Sequence, residues 1–316
     1  MRNSGIGGQA VIEGIMMRNQ DRYSIGVRKP DKSIEVKVED YKSFIPCKTL
    51  TKIPFVRGVF NFIDSMVIGM KTLTYSASFY EDEEDAGKPK DEKSEALMMG
   101  GTVALSIVLA IGIFMLLPYF AASLFRRLTD SALVISVLEG VLRLVIFLGY
   151  IALISRMEDI QRVFQYHGAE HKCINCIEHG MELNVENVQK SSRLHRRCGT
   201  SFLLIVMVVS IIFFLFIRVN SPLLRVVVRI LLVPVIAGVS YEFIRLAGKS
   251  ENPVVLTLSK PGLWLQKLTT REPEDDMVEV AIAAVEAVFD WRKFLAGADG
   301  ADCKVAGTDA SENAYE

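Results

Sequence analysis

Apolar residues are concentrated in four long stretches of the chain. No charged residue occurs from Ala96 to Phe125 or from Gly199 to Ile217. Each stretch is long enough to cross a hydrocarbon layer of about 30 Å as a helix of roughly 20 residues. Two further stretches have the same character but carry a few charged residues. The pattern predicts an α-helical membrane protein with four transmembrane helices, at 96–125, 131–155, 199–218 and 223–244.

The residues before the first span predict a small β element and an amphipathic helix. Residues 1–53 contain short β-branched stretches, two of which flank the turn sequence KPDK, and they predict an N-terminal β element. Within residues 54–80, Arg57, Asp64 and Lys71 recur every seven positions on an otherwise apolar cylinder. One narrow polar stripe of this kind predicts a helix that lies in the membrane interface or packs against the spans. A fifth crossing is the alternative.

Other polar segments precede and follow the spans. Residues 81–95 predict a charged linker without aromatic residues, which is typical of a solvated segment. Residues 245–296 predict a cytoplasmic segment that begins with two Pro-bounded turns. They continue into a helix over 273–295, whose first turn is acidic and therefore suits the helix dipole. The tail, 297–316, is small and polar and predicts disorder.

Lys and Arg are distributed unevenly over the connections between the spans. The loop 156–198 holds seven of them, whereas 121–130 holds two and 218–222 holds one. By the positive-inside rule the long loop is cytoplasmic, and four spans then put both termini on that side as well. A net charge of −1 argues against nucleic acid as a partner, because nucleic-acid binders carry strongly basic domains.

All four histidines and three of the five cysteines lie in the loop between the second and third spans. His167, Glu170 and His171 fit the pattern H-x-x-E-H, the inverted order of the zincin motif. On a helix the two imidazoles project from one face and can hold one ion, while the carboxylate can reach a water on that ion. His195 and Cys198, at the entrance of the third span, are candidates for the remaining ligands.

A closed structural zinc site is the alternative to this open site. Cys173 and Cys176 combine with His195 and Cys198 into C-x₂-C…H-x₂-C, which offers the four ligands of such a site. That arrangement leaves Glu170 and two histidines without a role. A simpler interpretation is that the histidines lie among basic residues at the membrane surface. A thiol–disulfide role is less favoured, because no thioredoxin-like βαβ pattern surrounds the cysteines.

Four motifs of the chain are distinctive: GGQAVIEGIMMR, YHGAEHK, LHRRCGTSFL and LWLQKLTTREPEDDMVEVAI. Together they resemble the motifs of the YqhQ-like family, a bacterial membrane family of unknown function with a general prediction of metal-dependent enzymes. The resemblance covers about residues 3–295. It implies a multi-pass protein of the bacterial cytoplasmic membrane. The positions that match the family pattern are His167, Glu170, His171, His195 and Cys198.

The chain also departs from the family pattern. Arg196 stands where the family has Pro after the last His, which affects the stiffness of the backbone and leaves the ligands unchanged. Cys173 and Cys176 do not belong to the pattern, and this weakens the closed structural site.

Two functions fit these observations. In the first, the protein is a membrane-embedded hydrolase in which zinc, or another divalent transition metal, is held by the His/Cys cluster and Glu170 is the general base. Its substrate is an unknown peptide segment or lipid-linked molecule that arrives along the lipid bilayer. In the alternative, the protein is a non-catalytic scaffold with a structural metal site. Its partner is then another membrane protein, in membrane-protein assembly. Metal retention with loss of function in Glu170→Gln separates the two hypotheses.

Charged residues inside the spans predict an ion-pair network. Glu139 lies about 12 Å and Arg229 about 9 Å from the same end of their helices, at 1.5 Å per residue. Unpaired charges at such depth cost roughly 2.5–3.5 kcal/mol each on insertion scales. Glu139 is therefore predicted to pair with Arg229 across the helix interface and with Arg143 on its own helix. A structural lock is favoured over a proton or substrate path.

Overall fold

The protein is mostly helical, with one small sheet near the N-terminus. The computed structural model describes residues 2–43, 53–80, 92–216, 221–248, 250, 252–300 and 302–305. The strands are Gly7–Val11 (β1), Gly14–Asn19 (β2), Arg22–Arg28 (β3) and Ile34–Asp40 (β4). The α-helices of the described residues are Val56–Ala77 (α1), Glu92–Ile111 (α2), Leu117–Leu124 (α3), Ala132–Ile154 (α4), Glu158–Glu178 (α5), Val185–Lys190 (α6), Gly199–Phe216 (α7), Pro222–Ala247 (α8), Pro253–Thr269 (α9), Asp275–Glu286 (α10) and Trp291–Leu295 (α11).

Four helical segments are long and apolar enough to cross a membrane, as the hydropathy pattern predicts. A π-helical turn, Gly112–Leu116, joins α2 to α3 and makes them one continuous segment. Much of the surface of these helices is exposed and apolar, which suits a lipid environment. The four candidate spans are Leu97–Arg127, Ala132–Ile154, Gly199–Phe216 and Leu224–Ala247.

A buried network of charges joins three of these segments. Arg143 Nη2 donates to Glu139 Oε1 at 2.8 Å, and Arg229 Nη2 donates to Glu139 Oε2 at 2.8 Å. Arg143 Nη1 also donates to Ser210 Oγ at 3.3 Å. The ring of Phe214 lies 4.8 Å from the Arg143 guanidinium and 4.7 Å from that of Arg229. A single carboxylate and one aromatic ring thus compensate two cations.

The sheet is an antiparallel meander in the order β1-β2-β3-β4, and both of its faces are covered. Because side chains alternate along a strand, Met16 of β2 contacts the α1 side while Ile15 and Met17 contact the other side. Helices α5 and α10 cover that second side. The core between the sheet and these helices includes Tyr166, Ala169, Ile174, Met277, Ala281, Ala284 and Phe289.

The polar stripe of α1 contacts other elements of the protein. Arg57 pairs with Glu242 of α8, with Nε 2.6 Å from Oε1. Asp64 is only 4% exposed, and it accepts hydrogen bonds from Tyr41 and Ser43 beyond β4. The opposite face of α1 is apolar and exposed. The stripe therefore docks α1 against both α8 and the sheet. The exposed apolar side chains are Phe55, Val56, Phe62, Ile63, Met66, Val67 and Leu73.

The C-terminal segment differs from its prediction at three places. The two expected Pro-bounded turns are absent from the described residues 252–269, where the chain forms α9 with Pro261 inside it. The helix expected over 273–295 is divided into α10 and α11, and between them Phe289 forms an isolated bridge with Lys304. The same bridge orders part of the expected disordered tail, in which Cys303 is fully buried.

Other expectations lie partly outside the described residues. Residues 306–316 of the tail and 81–91 of the charged linker are not among them. The last part of the linker differs from its prediction, since α2 begins at Glu92.

Replacing Glu139 by Gln should lower the yield of folded protein, because Arg143 and Arg229 would lose the carboxylate they share. Breaking a buried pair in this way costs on the order of 3 kcal/mol. The further change Arg229→Gln should restore part of the loss. The measurement is the monodisperse fraction after detergent extraction, together with thermal unfolding. Val137→Ala, on the exposed face of the same helix, is the control. Losses that simply add in the double variant would contradict the network.

Candidate metal centre

Helix α5 carries the H-x-x-E-H sequence into the interior. The helix begins with Glu158 and Asp159, which suit the positive end of its dipole. From Tyr166 onward, nearly every residue is buried between the sheet and α10. His167 and His171 project from the same face, and their ring centroids are 4.4 Å apart. The helical spacing thus brings two imidazoles together, as the sequence predicts.

Cys198 completes a group of three ligands. It directly precedes α7, and its Sγ lies 3.3 Å from His167 Nε2. Ligating atoms of His167, His171 and Cys198 all lie within 4.8 Å of one another. Thr200 supports the sulfur, since its backbone N–H donates to Cys198 Sγ at 3.4 Å. Within the described part of the chain, these three residues form the group that could hold a metal ion.

The 3.3 Å separation of His167 Nε2 and Cys198 Sγ is compatible with coordination of one metal ion. Tetrahedral zinc at its usual bond lengths holds a nitrogen and a sulfur ligand about 3.6 Å apart, close to the observed separation. His167 Nδ1 is 2.9 Å from the Thr269 carbonyl, and His171 Nδ1 is 2.7 Å from the Arg193 carbonyl. Each carbonyl fixes the ring and leaves Nε2 available, which is the usual support of metal-binding histidines.

The charges of the group favour a metal-binding thiolate. Burial disfavours ionisation of Cys198, but His167 and His171 outweigh it and hold the pKa of the thiol well below its usual range. Burial likewise disfavours the charged form of His167, but the neighbouring sulfur outweighs this and raises the pKa of the imidazole to about 9. The site therefore provides a thiolate, which is the form of Cys that binds metals.

Glu170 lies beside the two histidines on the same helix. It is buried, with 5% of its surface exposed, and burial raises the pKa of its carboxyl. The carboxyl group lies next to Gly8 of strand β1, where an added Cβ would be 3.0 Å from Glu170 Cδ. An acid with a raised pKa is suited to exchanging a proton near neutral pH.

His195 lies next to the group but is paired elsewhere. Its ring centroid is 5.7 Å from that of His171, while its Nε2 is 3.5 Å from Glu178 Oε2. Gln266 fixes its backbone, because the Gln266 side chain accepts from His195 N and donates to His195 O. The structure thus brings Cys198, not His195, into the group with the two α5 histidines.

Glu178 has a role that the sequence does not reveal. Burial opposes its ionisation, but hydrogen bonds from His195 and Ser4 and the charge of Arg197 lower the pKa of its carboxyl to about 2. Ser4 donates to Glu178 Oε1 through both its N–H and its hydroxyl, each at 2.8 Å. This ionised carboxylate ties the N-terminal residues to α5 and to the segment before α7.

Cys173 and Cys176 lie apart from the metal group. Both belong to the hydrophobic core around α10, and the Sγ of Cys176 lies 3.4 Å from the Glu182 carbonyl. Burial raises the pKa of both thiols. Within the described residues they share no group of three potential ligands, so the closed arrangement with His195 and Cys198 is not assembled there.

A cleft of about 760 Å³ leads to the site. It lies between the sheet, α1, the first half of α5 and the start of α7. His167 and Glu170 line it together with residues of β1. A volume of this size is within the range of small-molecule pockets. The candidate metal group therefore adjoins a cleft that is large enough for a ligand.

The fold and the site define a helical protein with four candidate membrane-spanning helices and a buried His/Cys group beside a cleft. Residues 53–291 match the family described as "Protein of unknown function (DUF1385)", and the chain belongs to this family. It is 39% identical over 284 residues to the "Uncharacterized protein YqhQ" of Bacillus subtilis (strain 168), covering 87% of this chain and 89% of that protein. No solved structure matches the chain.

Gly168, between the two site histidines, should not tolerate a side chain. A Cβ there would lie 2.0 Å from the backbone oxygen of Arg271, so alanine must displace the segment whose Thr269 carbonyl orients His167. Gly168→Ala should lower the free energy of unfolding by about 2 kcal/mol, measured by denaturation in detergent. Gly149→Ala, on α4, has no neighbour within 4 Å and is the control. Equal stability of the two variants would contradict this packing.

Proposed function

We propose that the protein is a membrane-embedded, zinc-dependent hydrolase. The observation that carries the proposal is the convergence of His167, His171 and Cys198, with their ligating atoms within 4.8 Å of one another, beside the acid Glu170 and an open cleft. Three protein ligands are the usual number in catalytic zinc sites, which keep a further position open.

The residues of the site have distinct tasks in this proposal. A zinc ion held by His167, His171 and Cys198 would supply Lewis-acid activation of water and of the scissile group. Glu170 takes a proton from the attacking water and gives it to the leaving group as the bond breaks, which its raised pKa suits. The carbonyls of Thr269 and Arg193 orient the two imidazoles. His195 and Glu178 hold the surrounding backbone in place, and we assign them no ligand role.

The proposal places the site at the cytoplasmic face of the bacterial cytoplasmic membrane, with both termini in the cytoplasm. The basic loop before α7 supports this orientation through the positive-inside rule. Two helices beside the site expose apolar side chains: α1, and α9 through Val254, Leu258 and Trp264. An exposed Trp is typical of the membrane interface. A lipid-linked molecule or a peptide segment of a membrane protein could then reach the cleft along the bilayer.

A structural metal in a non-catalytic scaffold is the second candidate. The group connects three segments. His167 and His171 lie on α5, and Cys198 lies just before α7. The carbonyl that contacts His167 belongs to Thr269, the last residue of α9. It is also largely buried, with His171 1% and Cys198 4% exposed. A metal there would join the loop to the candidate spans without any chemistry, and a membrane-protein partner would bind elsewhere.

Purified protein should contain about one zinc per chain. Changing both His167 and His171 to Ala, or Cys198 to Ser, should release it, because each change removes ligands of the group. His195→Ala should keep the metal. The matched control, Cys173→Ser with Cys176→Ser, should also keep it. The measurement is elemental analysis by plasma mass spectrometry on folded protein. If the metal is lost only when Cys173 and Cys176 are changed, it is bound in the closed arrangement and not by the two α5 histidines.

Glu170→Gln should keep the metal at the wild-type ratio and abolish hydrolysis. Cobalt in place of zinc provides a readout that needs no substrate. If water occupies an open coordination position, its ionisation makes the visible spectrum of the cobalt protein depend on pH. In Glu170→Gln the midpoint of this pH dependence should fall by about one pH unit, because the negative charge of Glu170 opposes ionisation of that water. Glu178→Gln, which alters a neighbouring carboxylate outside the group, is the comparison. A spectrum that does not depend on pH would favour the scaffold.

A further inference from the structure

Strand β1 forms one edge of the sheet, and its residues Gly7 to Ala10 line the cleft that leads to the metal group. We infer that this edge binds an apolar peptide segment of the substrate in extended form, as an added strand. The inference rests on the proposed function and narrows its substrate class to peptides.

The hydrogen-bond register shows which backbone groups of β1 are free. Arg28 N donates to Glu13 O at 2.8 Å, so the odd-numbered residues of β2 bond to β3 and the even-numbered ones bond to β1. With the pairing Gln9 to Met16, the odd-numbered residues of β1 use their backbone groups within the sheet. Those of Gly8 and Ala10 therefore point away from it.

One contact agrees with this register. Ile12 N–H donates to Ser76 Oγ of α1 at 3.1 Å, and Ile12 is an even-numbered residue like Gly8 and Ala10. Because Ala10 also lines the cleft, its outward N–H and C=O are placed toward the cleft. An extended peptide pairs with an exposed sheet edge through such groups, while pockets on either side select its side chains.

The position of this edge suits a reaction at the metal group. Gly8 lies beside the carboxylate that is proposed to activate water, since a Cβ on Gly8 would be 3.0 Å from Glu170 Cδ. A peptide on β1 would therefore pass beside Glu170. Gly7 and Gly8 have no side chains to obstruct the approach, and a Cβ on Gly8 would collide with Met16 O at 2.6 Å. The edge therefore presents its backbone directly to an incoming chain.

The charges of the cleft favour a peptide over a lipid-linked phosphate. The two arginines that line the cleft already have partners. Arg18 stacks on Tyr41, with its guanidinium carbon 3.4 Å from the ring centroid, and Arg197 pairs with Glu178. The surrounding walls include Met16, Ile68, Val163 and Phe164, which suit apolar side chains on alternate sides of a strand.

The test uses full-length purified protein in detergent. One probe is a dye-labelled mixture of nonapeptides built from Val, Leu, Ala and Thr. The other is the same mixture with every second amide N-methylated, which removes the donors of one edge. Binding is measured by fluorescence anisotropy after removal of metal by a chelator, so that hydrolysis cannot interfere. We expect the N-methylated mixture to bind about tenfold more weakly, because edge hydrogen bonds are lost.

A pair of variants at one position tests the edge of the protein. Ala10→Pro removes the outward N–H at a site where an edge strand accepts Pro, and Ala10→Val keeps it. Ala10→Pro should weaken binding about fivefold relative to Ala10→Val. If Ala10→Pro does not fold, the two peptide mixtures still decide the question.

Equal binding of the two mixtures, or binding of a polyprenyl phosphate and not of the peptides, would overturn the inference. Selective binding of unmethylated peptides, without cleavage after zinc is restored, would instead reject the hydrolase and leave the docking edge in place.

Discussion

The arrangement of the site depends on two hydrogen bonds between imidazoles and backbone carbonyls. Through Nδ1, His167 contacts the end of α9 at Thr269, and His171 contacts the segment before α7 at Arg193. Each bond fixes a ring and also attaches a separate part of the chain to α5. The Cys198 thiolate can meet the imidazoles only because these segments are held there. The metal group is therefore a product of the tertiary packing around α5, whose own spacing supplies two of its three members.

The Glu178 carboxylate extends the same organisation to the N-terminus. It is buried and ionised among Ser4, Arg197 and His195, and such a charge is stable only with several partners. By holding Ser4, it fixes the chain that leads directly into β1. The Glu178 carboxylate thus helps to keep the edge strand, the cleft and Glu170 in their relative positions, although it is not itself part of the proposed chemistry.

The sequence predicts those features that depend on local periodicity. Four apolar stretches predict the candidate spans, and the i, i+4 spacing of His167 and His171 predicts their common face. It does not predict which partner completes the group, because His195 and Cys198 are equivalent by sequence position and only tertiary packing turns His195 toward Glu178. Helix α9 is missed for a related reason. Pro261 predicts a break, but packing against α7 outweighs the loss of one helical hydrogen bond.

The charges within the candidate spans fit a structural element better than a transport path. Glu139 neutralises one of two guanidiniums, and the ring of Phe214 contacts both. The cavity around them measures about 10 Å³, which is the space of one water molecule. Arg143 Nε, which has no hydrogen-bond partner among the described residues, adjoins this small space. A path for protons or substrates needs a succession of polar groups, whereas here the charged groups bond to one another. The network therefore acts to hold α4, α7 and α8 together.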